Sequence, residues 1–141
     1  MEFVDLSVGH TGWSLALPVL QELRPHLTED SLEQVLREGA PQGLQFTAAF
    51  LSGRCLAVAG WRIVVNTSAL RKLYVDDLST TSAARSTGVG GALLEELRNR
   101  ARTAGCYVLD LDSGVQRHDA HRFYLRERMD ITAHHFAQKL R

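Results

Sequence analysis

The run LYVDDLSTTSAARSTGVGGALLEELRNRARTAG, residues 73–105, decides the fold. It opens as an apolar, extended stretch that carries two adjacent carboxylates, Asp76 and Asp77. After a small-residue segment the period changes. Val89, Leu93, Leu94, Leu97 and Ala101 then recur on one helical face. Glu96 and Arg100 form an i,i+4 pair on the other face, and Gly105 marks the stop. Between strand and helix lies Arg85-Ser86-Thr87-Gly88-Val89-Gly90-Gly91. The first N–H groups of a helix have no intrahelical partner, and the helix dipole places partial positive charge there. Glycines let an anion approach the backbone, and Arg85 adds a cation. The functional reading is a pyrophosphate cradle, set against a loop that merely turns the chain. A P-loop is excluded, because no lysine follows the glycines, and the GxGG order is not the GxGxxG of a dinucleotide site.

Upstream, MEFVDL reads as a first strand. Trp13, Leu17, Leu20 and Leu23 have near-helical spacing; Pro18 fits a first turn, and Pro25 ends the helix. A second short helix follows, capped by Thr28 or Asp30, with Leu32, Val35 and Leu36 as its apolar face and Gly39 as its end. The runs at 44–51 and 55–65 predict a hairpin around a Ser-Gly turn, and 69–80 a long, central third strand. Downstream, 107–113 reads as a strand, 119–128 as a short helix with Ala120, Phe123 and Tyr124 close together, and 129–140 as a last extended segment. The order predicts an α/β or α+β domain with a mixed sheet.

The 141 residues are the size of one domain, with apolar residues at 45 %. Lys+Arg and Asp+Glu number 16 each, which disfavours a nucleic-acid partner. No apolar stretch has membrane-span length, and the N-terminal residues lack a signal-peptide pattern. Cys55 and Cys106 read as reduced thiols of a cytoplasmic protein. His118, His121, His134 and His135 lack the i,i+4 spacing of a helical zinc pair, so no metal is expected. Trp13 and Trp61 are expected in the core.

The pattern R-x-x-G-x-G at residues 85–90, followed by GALLEEL, resembles the acetyl-CoA loop and helix of the GNAT superfamily of N-acetyltransferases. AHRFYLRERM, residues 120–129, resembles the family's A-x-x-[FL]-Y-x-x-x-G-F segment, with Tyr124 on its tyrosine. YVDDLST is similar to the end of the family's central strand, and HHFAQKL to its closing strand. The resemblance covers residues 69–140; residues 1–68 match in element order alone. Four positions depart from the pattern: Arg128 and Met129 stand for Gly-Phe, Arg117 for an Asn beside the coenzyme arm, and Thr80 for a Val.

The resemblance implies a mostly antiparallel central sheet flanked by helices, in one domain. Residues 1–68 would shape the acceptor site and 69–141 would hold acetyl-CoA. It implies acetyl transfer to a primary amine of a small molecule, amino acid or peptide. The alternative is a non-catalytic acyl-CoA-binding sensor. Coenzyme contacts are expected from Leu78, Ser79 and Thr80 of the central strand and from Arg85, Ser86, Thr87, Gly88, Val89, Gly90 and Gly91. Tyr124 is expected to protonate or hydrogen-bond the leaving thiolate. An ammonium has no lone pair and a pKa of about 10.4, so a base or water chain must take its proton. Asp76 and Asp77 are the candidates, strand alternation leaning toward Asp76; Asp110, Asp112 and His121 are in reserve. A homodimer is allowed, with no membrane partner.

Overall fold

The computed structural model describes residues 1–141. Five strands form one sheet in the order β1-β2-β3-β4-β5: β1 Glu2–Asp5, β2 Gln45–Leu51, β3 Arg54–Val64, β4 Lys72–Thr80 and β5 Val108–Leu111. The pairs β1–β2, β2–β3 and β3–β4 are antiparallel. The helices are α1 Trp13–Leu23, α2 Glu29–Gly39, α3 Val89–Thr103 and α4 His118–Arg126. The expected mixed, mostly antiparallel sheet with flanking helices is therefore present. The chain divides into two compact units, Met1–Asp110 and Leu111–Arg141.

In the first unit, β2 and β3 are joined by Ser52 and Gly53, both at positive φ, the backbone a two-residue hairpin loop needs. Helix α1 lays Trp13, Ala16, Leu17 and Leu20 into a cluster with Phe46, Ala48, Val58 and Leu32 of α2. Helix α3 packs on β3 and β4 and buries Leu93, Leu94 and Leu97 completely. Each such leucine stabilises the fold by about 1.5–3 kcal/mol. Arg100 ties α3 to the far edge of the sheet, donating to Asp5 at 2.6 Å, to Thr47 at 3.2 Å and to its own-helix partner Glu96 at 2.9 Å. Burial opposes its charge, but these hydrogen bonds outweigh it and hold the guanidinium protonated.

Three helix ends close by the same device. After α3, Gly105 is left-handed, its N–H bonds Arg102 O, and Cys106 N–H bonds Ala101 O. After α4, in the second unit, Arg128 is left-handed at φ 64°, Arg128 N–H bonds Leu125 O and Met129 N–H bonds Tyr124 O. Arg128 thus adopts the backbone of the glycine it stands for. The turn survives the substitution. Gly43, past a single 3-10 turn after α2, repeats the pattern.

Several expectations need correction. Pro18 lies inside α1, beyond its first turn. Its ring is on the exposed face, where water can satisfy the carbonyl left without a partner. Val35 is exposed on α2, and Thr28, not Asp30, is its cap. The third strand starts at Lys72, because Asn66 accepts from Ala69 N–H and holds 66–71 in turns. Residues 129–141 form no strand. Ile131 and Phe136 are five apart and would fall on opposite faces of a strand, and Ile131, Phe136 and Leu140 are all exposed.

Candidate active site

Strand β4 carries an extra residue where the two carboxylates lie. Gly60 of β3 opposes Asp77 and Trp61 opposes Val75, so Asp76 is left without a partner residue. This β-bulge breaks the alternation of faces. Val75 lies opposite Trp61, and the Arg100 guanidinium of α3 sits 5.7 Å over that indole. Val75 therefore faces α3. Two residues on, Asp77 accepts from Arg24, the C-cap of α1, at 2.8 Å, and the Ser79 hydroxyl donates to Val19 O of α1 at 2.7 Å. Asp77 thus faces α1, on the opposite side from Val75. Asp76 faces the same way: its carboxylate accepts both arms of the Arg62 guanidinium, at 2.8 and 2.9 Å, and Arg62 neighbours the α3-facing Trp61. The bulge brings both carboxylates to one face, so strand alternation does not separate them.

The two are not equivalent. Both oxygens of Asp76 are held by Arg62, whose guanidinium is kept protonated mainly by those hydrogen bonds. Asp77 meets Arg24 through Oδ1 alone, so Oδ2 is outside that ion pair. A second bond from Arg24 reaches the Asp76 carbonyl at 3.3 Å. Asp77, not Asp76, is the carboxylate with an oxygen left for a proton.

Half of β4 has an open edge. Strand β5 has four residues against nine in β4. Tyr107 N–H donates to Arg71 O, and Lys72 bridges Asp110 at 2.9 Å, so β5 meets the start of β4. Leu78, Ser79 and Thr80 pair with Ala59, Val58 and Ala57 of β3 on their other side. In a strand paired on one side, alternate backbone N–H groups face away from the partner. Alternate N–H groups of 76–80 therefore face away from β3.

The strand runs on through a 3-10 turn at Ser82–Ala84 into the glycine loop. Ser86 and Gly88 are left-handed at φ 65° and 88°. Gly88 is the N-cap of α3 and provides no side-chain cap, and the first turn of α3 contains no acidic residue. Helix α2 is the contrast: Thr28 and Ser31 form a closed capping box, and Glu29 and Asp30 follow. The α3 N-terminus has neither a side-chain cap nor an acidic first turn, which leaves its N–H groups for an external anion. A Cβ built at Gly88 meets nothing within 4 Å, so the need for glycine there is conformational and the mouth of the helix is open. Thr87 and its hydroxyl turn back to Ala84 O. Arg85 is exposed and 3.8 Å from Glu22 of α1, whose carboxylate accepts Ser82 N–H at 3.0 Å. Val89 is buried as part of the helix face. The loop and the open half of β4 fit an extended ligand with a carbonyl at one end and phosphates at the other.

In the second unit, Tyr124 lies on α4 and Arg117 is that helix's N-cap. Burial pushes the Tyr124 phenol up, and the hydrogen-bonded, positively charged Arg117 pulls it part of the way back. The guanidinium can only donate, so the phenol keeps its own proton to give. Gly114 O accepts Arg117 N–H and lies 2.7 Å from His121 Nε2, which fixes the turn before α4. His135 is 3.7 Å from Asp112. Among the carboxylates in reserve, Asp110 is engaged by Lys72. Cys55 and Cys106 are free, and Trp13 and Trp61 are core residues. Spacing gave no sign of Arg24 and Arg62: each meets its aspartate across the fold, and only the bulge places both pairs on one face.

A family model described as the acetyltransferase (GNAT) family matches residues 13–129. An uncharacterized N-acetyltransferase, YhdJ of Bacillus subtilis (strain 168), is 34% identical over 113 residues, 79% of this chain and 80% of that protein. An aminoalkylphosphonate N-acetyltransferase of Salmonella typhimurium (strain LT2) is 38% identical over 53 residues, 38% of this chain and 34% of that one. The solved structure of aminoglycoside N-acetyltransferase AAC(6')-Iy in complex with CoA superposes with a TM-score of 0.85 at 14% identity, covering 99% of this chain and 94% of that one. No helix is long and apolar enough to cross a membrane. With the bulged central strand, the glycine loop at an uncapped helix and a family match across most of its length, the chain belongs to the GNAT family of acetyltransferases and is an N-acetyltransferase.

Proposed function

We propose that the protein transfers the acetyl group of acetyl-CoA to a primary amine of a small molecule, amino acid or peptide. The observation that carries this is the continuity of one surface. The open half of β4, with the carboxylate pair at its bulge, leads directly into the uncapped N-terminus of α3. The acetyl-CoA thioester supplies an acetyl group already activated for attack. Residues 85–91 hold its phosphates through backbone N–H groups, with Arg85 as an exposed cation. Backbone N–H groups of Asp76 to Thr80 meet the carbonyl oxygen as negative charge builds on it. Asp77 Oδ2 takes the ammonium proton, directly or through a water. Tyr124, held neutral by burial, gives a proton to the departing sulfur.

The names of the relatives support an amine acceptor: one acts on an aminoalkylphosphonate and another on an aminoglycoside. The whole chain works as one transferase domain in this reading, with residues 1–68 on the acceptor side. The family match crosses both compact units. A cytoplasmic setting agrees with two unpaired cysteines. A homodimer would have the exposed Val115, Leu125, Ile131, Phe136 and Leu140 to cover. Release of free thiol from acetyl-CoA across an amine panel tests the proposal. Amine-dependent release that falls at least about 10-fold in Asp77→Asn supports it. Coenzyme binding without amine-dependent release would make the chain a sensor.

A further inference from the structure

The face of β4 that carries the two aspartates is a mosaic of compensated charge. Arg24 holds Asp77 at 2.8 Å, Arg62 holds Asp76 at 2.8 Å, and Lys72 holds Asp110 at 2.9 Å. The Arg62 guanidinium and the Lys72 ammonium also flank one Tyr74 ring, each 5.4 Å from its centroid. Three cations thus meet three carboxylates, and the face has no net charge. A polycationic acceptor gains its affinity from unpaired carboxylates. Here each added ammonium would have to displace an arginine or lysine from its partner, and leaving that cation unpaired costs binding energy.

The groups left over have a definite pattern. A guanidinium has five N–H donors. Arg24 spends its Nε and Nη2 groups on Asp77 and the Asp76 carbonyl, and Arg62 its Nε and Nη2 groups on the Asp76 carboxylate. Both still have Nη1 donors, and both side chains reach solvent, at 44% and 32% exposure. Because both guanidiniums converge on Asp76, a single small molecule can reach them. Asp77 Oδ2 is the matching spare acceptor. One ammonium site therefore lies beside a pair of anion-binding forks.

We infer that the acceptor is a small zwitterion, an amine that bears a carboxylate or phosphonate on the same molecule, with Arg24 and Arg62 as its specificity-determining residues. The ammonium addresses Asp77, which then receives its proton, and the anionic group takes the spare guanidinium N–H bonds. This rests on the acetyl-transfer reading for its chemistry, while the recognition of charge stands apart from it.

The test uses the full chain and two readouts. The first is thiol release from acetyl-CoA with β-alanine, 2-aminoethylphosphonate, ethanolamine and spermidine. The second is calorimetry of the same compounds with CoA present. We expect kcat/KM for one of the zwitterions to exceed that for ethanolamine and spermidine by about 10-fold or more. The better of the two identifies the anion. Arg24→Gln or Arg62→Gln, checked as folded by circular dichroism, should bring the zwitterion-to-ethanolamine ratio toward one. Thiol release that favours ethanolamine or spermidine, or a ratio untouched in both variants, overturns the inference and leaves acetyl transfer standing. Selective zwitterion binding without thiol release supports the inference and removes the transfer reading. Neither release nor selective binding overturns both.

Discussion

Gly60→Ala should destabilise the protein through a single contact. Gly60 opposes Asp77 in β3–β4 and Phe46 in β2–β3. A Cβ built there falls 2.7 Å from Phe46 Cε1 and 3.1 Å from Cζ. Optimal carbon contacts are about 3.5–4.0 Å, so the ring must retreat by roughly 1 Å. It has little room: Phe46 is 3% exposed and packs edge-on against Trp13, ring centroids 5.2 Å apart. Overpacking of this kind costs about 1–3 kcal/mol. Gly60 is not among the positive-φ glycines, so alanine suffers no backbone strain and recovers about 0.4–1 kcal/mol from the unfolded chain. The net is about 1–2 kcal/mol, a fall in Tm of roughly 3–10 °C for a domain of this size. Urea melts should show a lower midpoint at unchanged m. In a Phe46→Leu background the extra cost should shrink by about 1 kcal/mol, because leucine lacks the ring atoms that collide. A Tm within about 1 °C of the parent, or a cost undiminished in that background, refutes the reasoning.

Three further outcomes are expected. Arg128→Gly should leave the fold intact and stabilise it by up to about 1 kcal/mol in thermal melts, because a left-handed non-glycine residue is strained by about 1–2 kcal/mol, part of which glycine returns as chain entropy. Burial pushes the Cys55 thiol up to about 11, so roughly a thousandth is thiolate at pH 8, and iodoacetamide followed by mass spectrometry should leave Cys55 unmodified in the folded protein. Tyr124 is raised above its ordinary value of about 10, so the phenol remains an acid at every lower pH: the kcat profile should show no falling limb below about pH 10, and Tyr124→Phe should lower kcat by roughly 10- to 1,000-fold with coenzyme affinity, read by calorimetry, little changed.

The parts of this fold with a strong local signal were legible in the sequence. Helix α3 follows its apolar spacing from Val89 to Ala101, the two-residue hairpin loop follows Ser52-Gly53, and the glycine loop sits at a helix mouth. What the residues alone could not show was set by contacts distant in sequence. Alternation along β4 favoured Asp76, but one extra residue against β3 moved Asp77 to the same face. Arg24 lies 53 residues from Asp77, so no spacing rule pairs them. The expected last strand failed for the opposite reason. Met129, Ile131 and Ala133 alternate while Phe136 and Leu140 fall on the other parity, so no single face is apolar, and strand structure depends on a hydrogen-bonded neighbour that local sequence does not supply.

In the proposed mechanism, stability and chemistry occupy different stretches of the chain. Every buried hydrophobic residue lies at or before Ala101, and residues 102–141 contribute none. The hydrophobic term that holds a domain together scales with buried apolar area, so the first unit holds nearly all of it. Tyr124 and Arg117 are outside that core, and the glycine loop is exposed at its rim. Substitutions there can change an acid or an anion site without a matching loss of folding free energy. The carboxylate pair is the exception, because it is built into a central strand. Removing Arg62 would leave Asp76 half-buried and unpaired at the bulge, which costs stability as well as charge balance. A loss of activity in the loop or on α4 therefore reports on chemistry. The same loss at the bulge needs a folding measurement beside it, or a substrate ratio that unfolding cannot move.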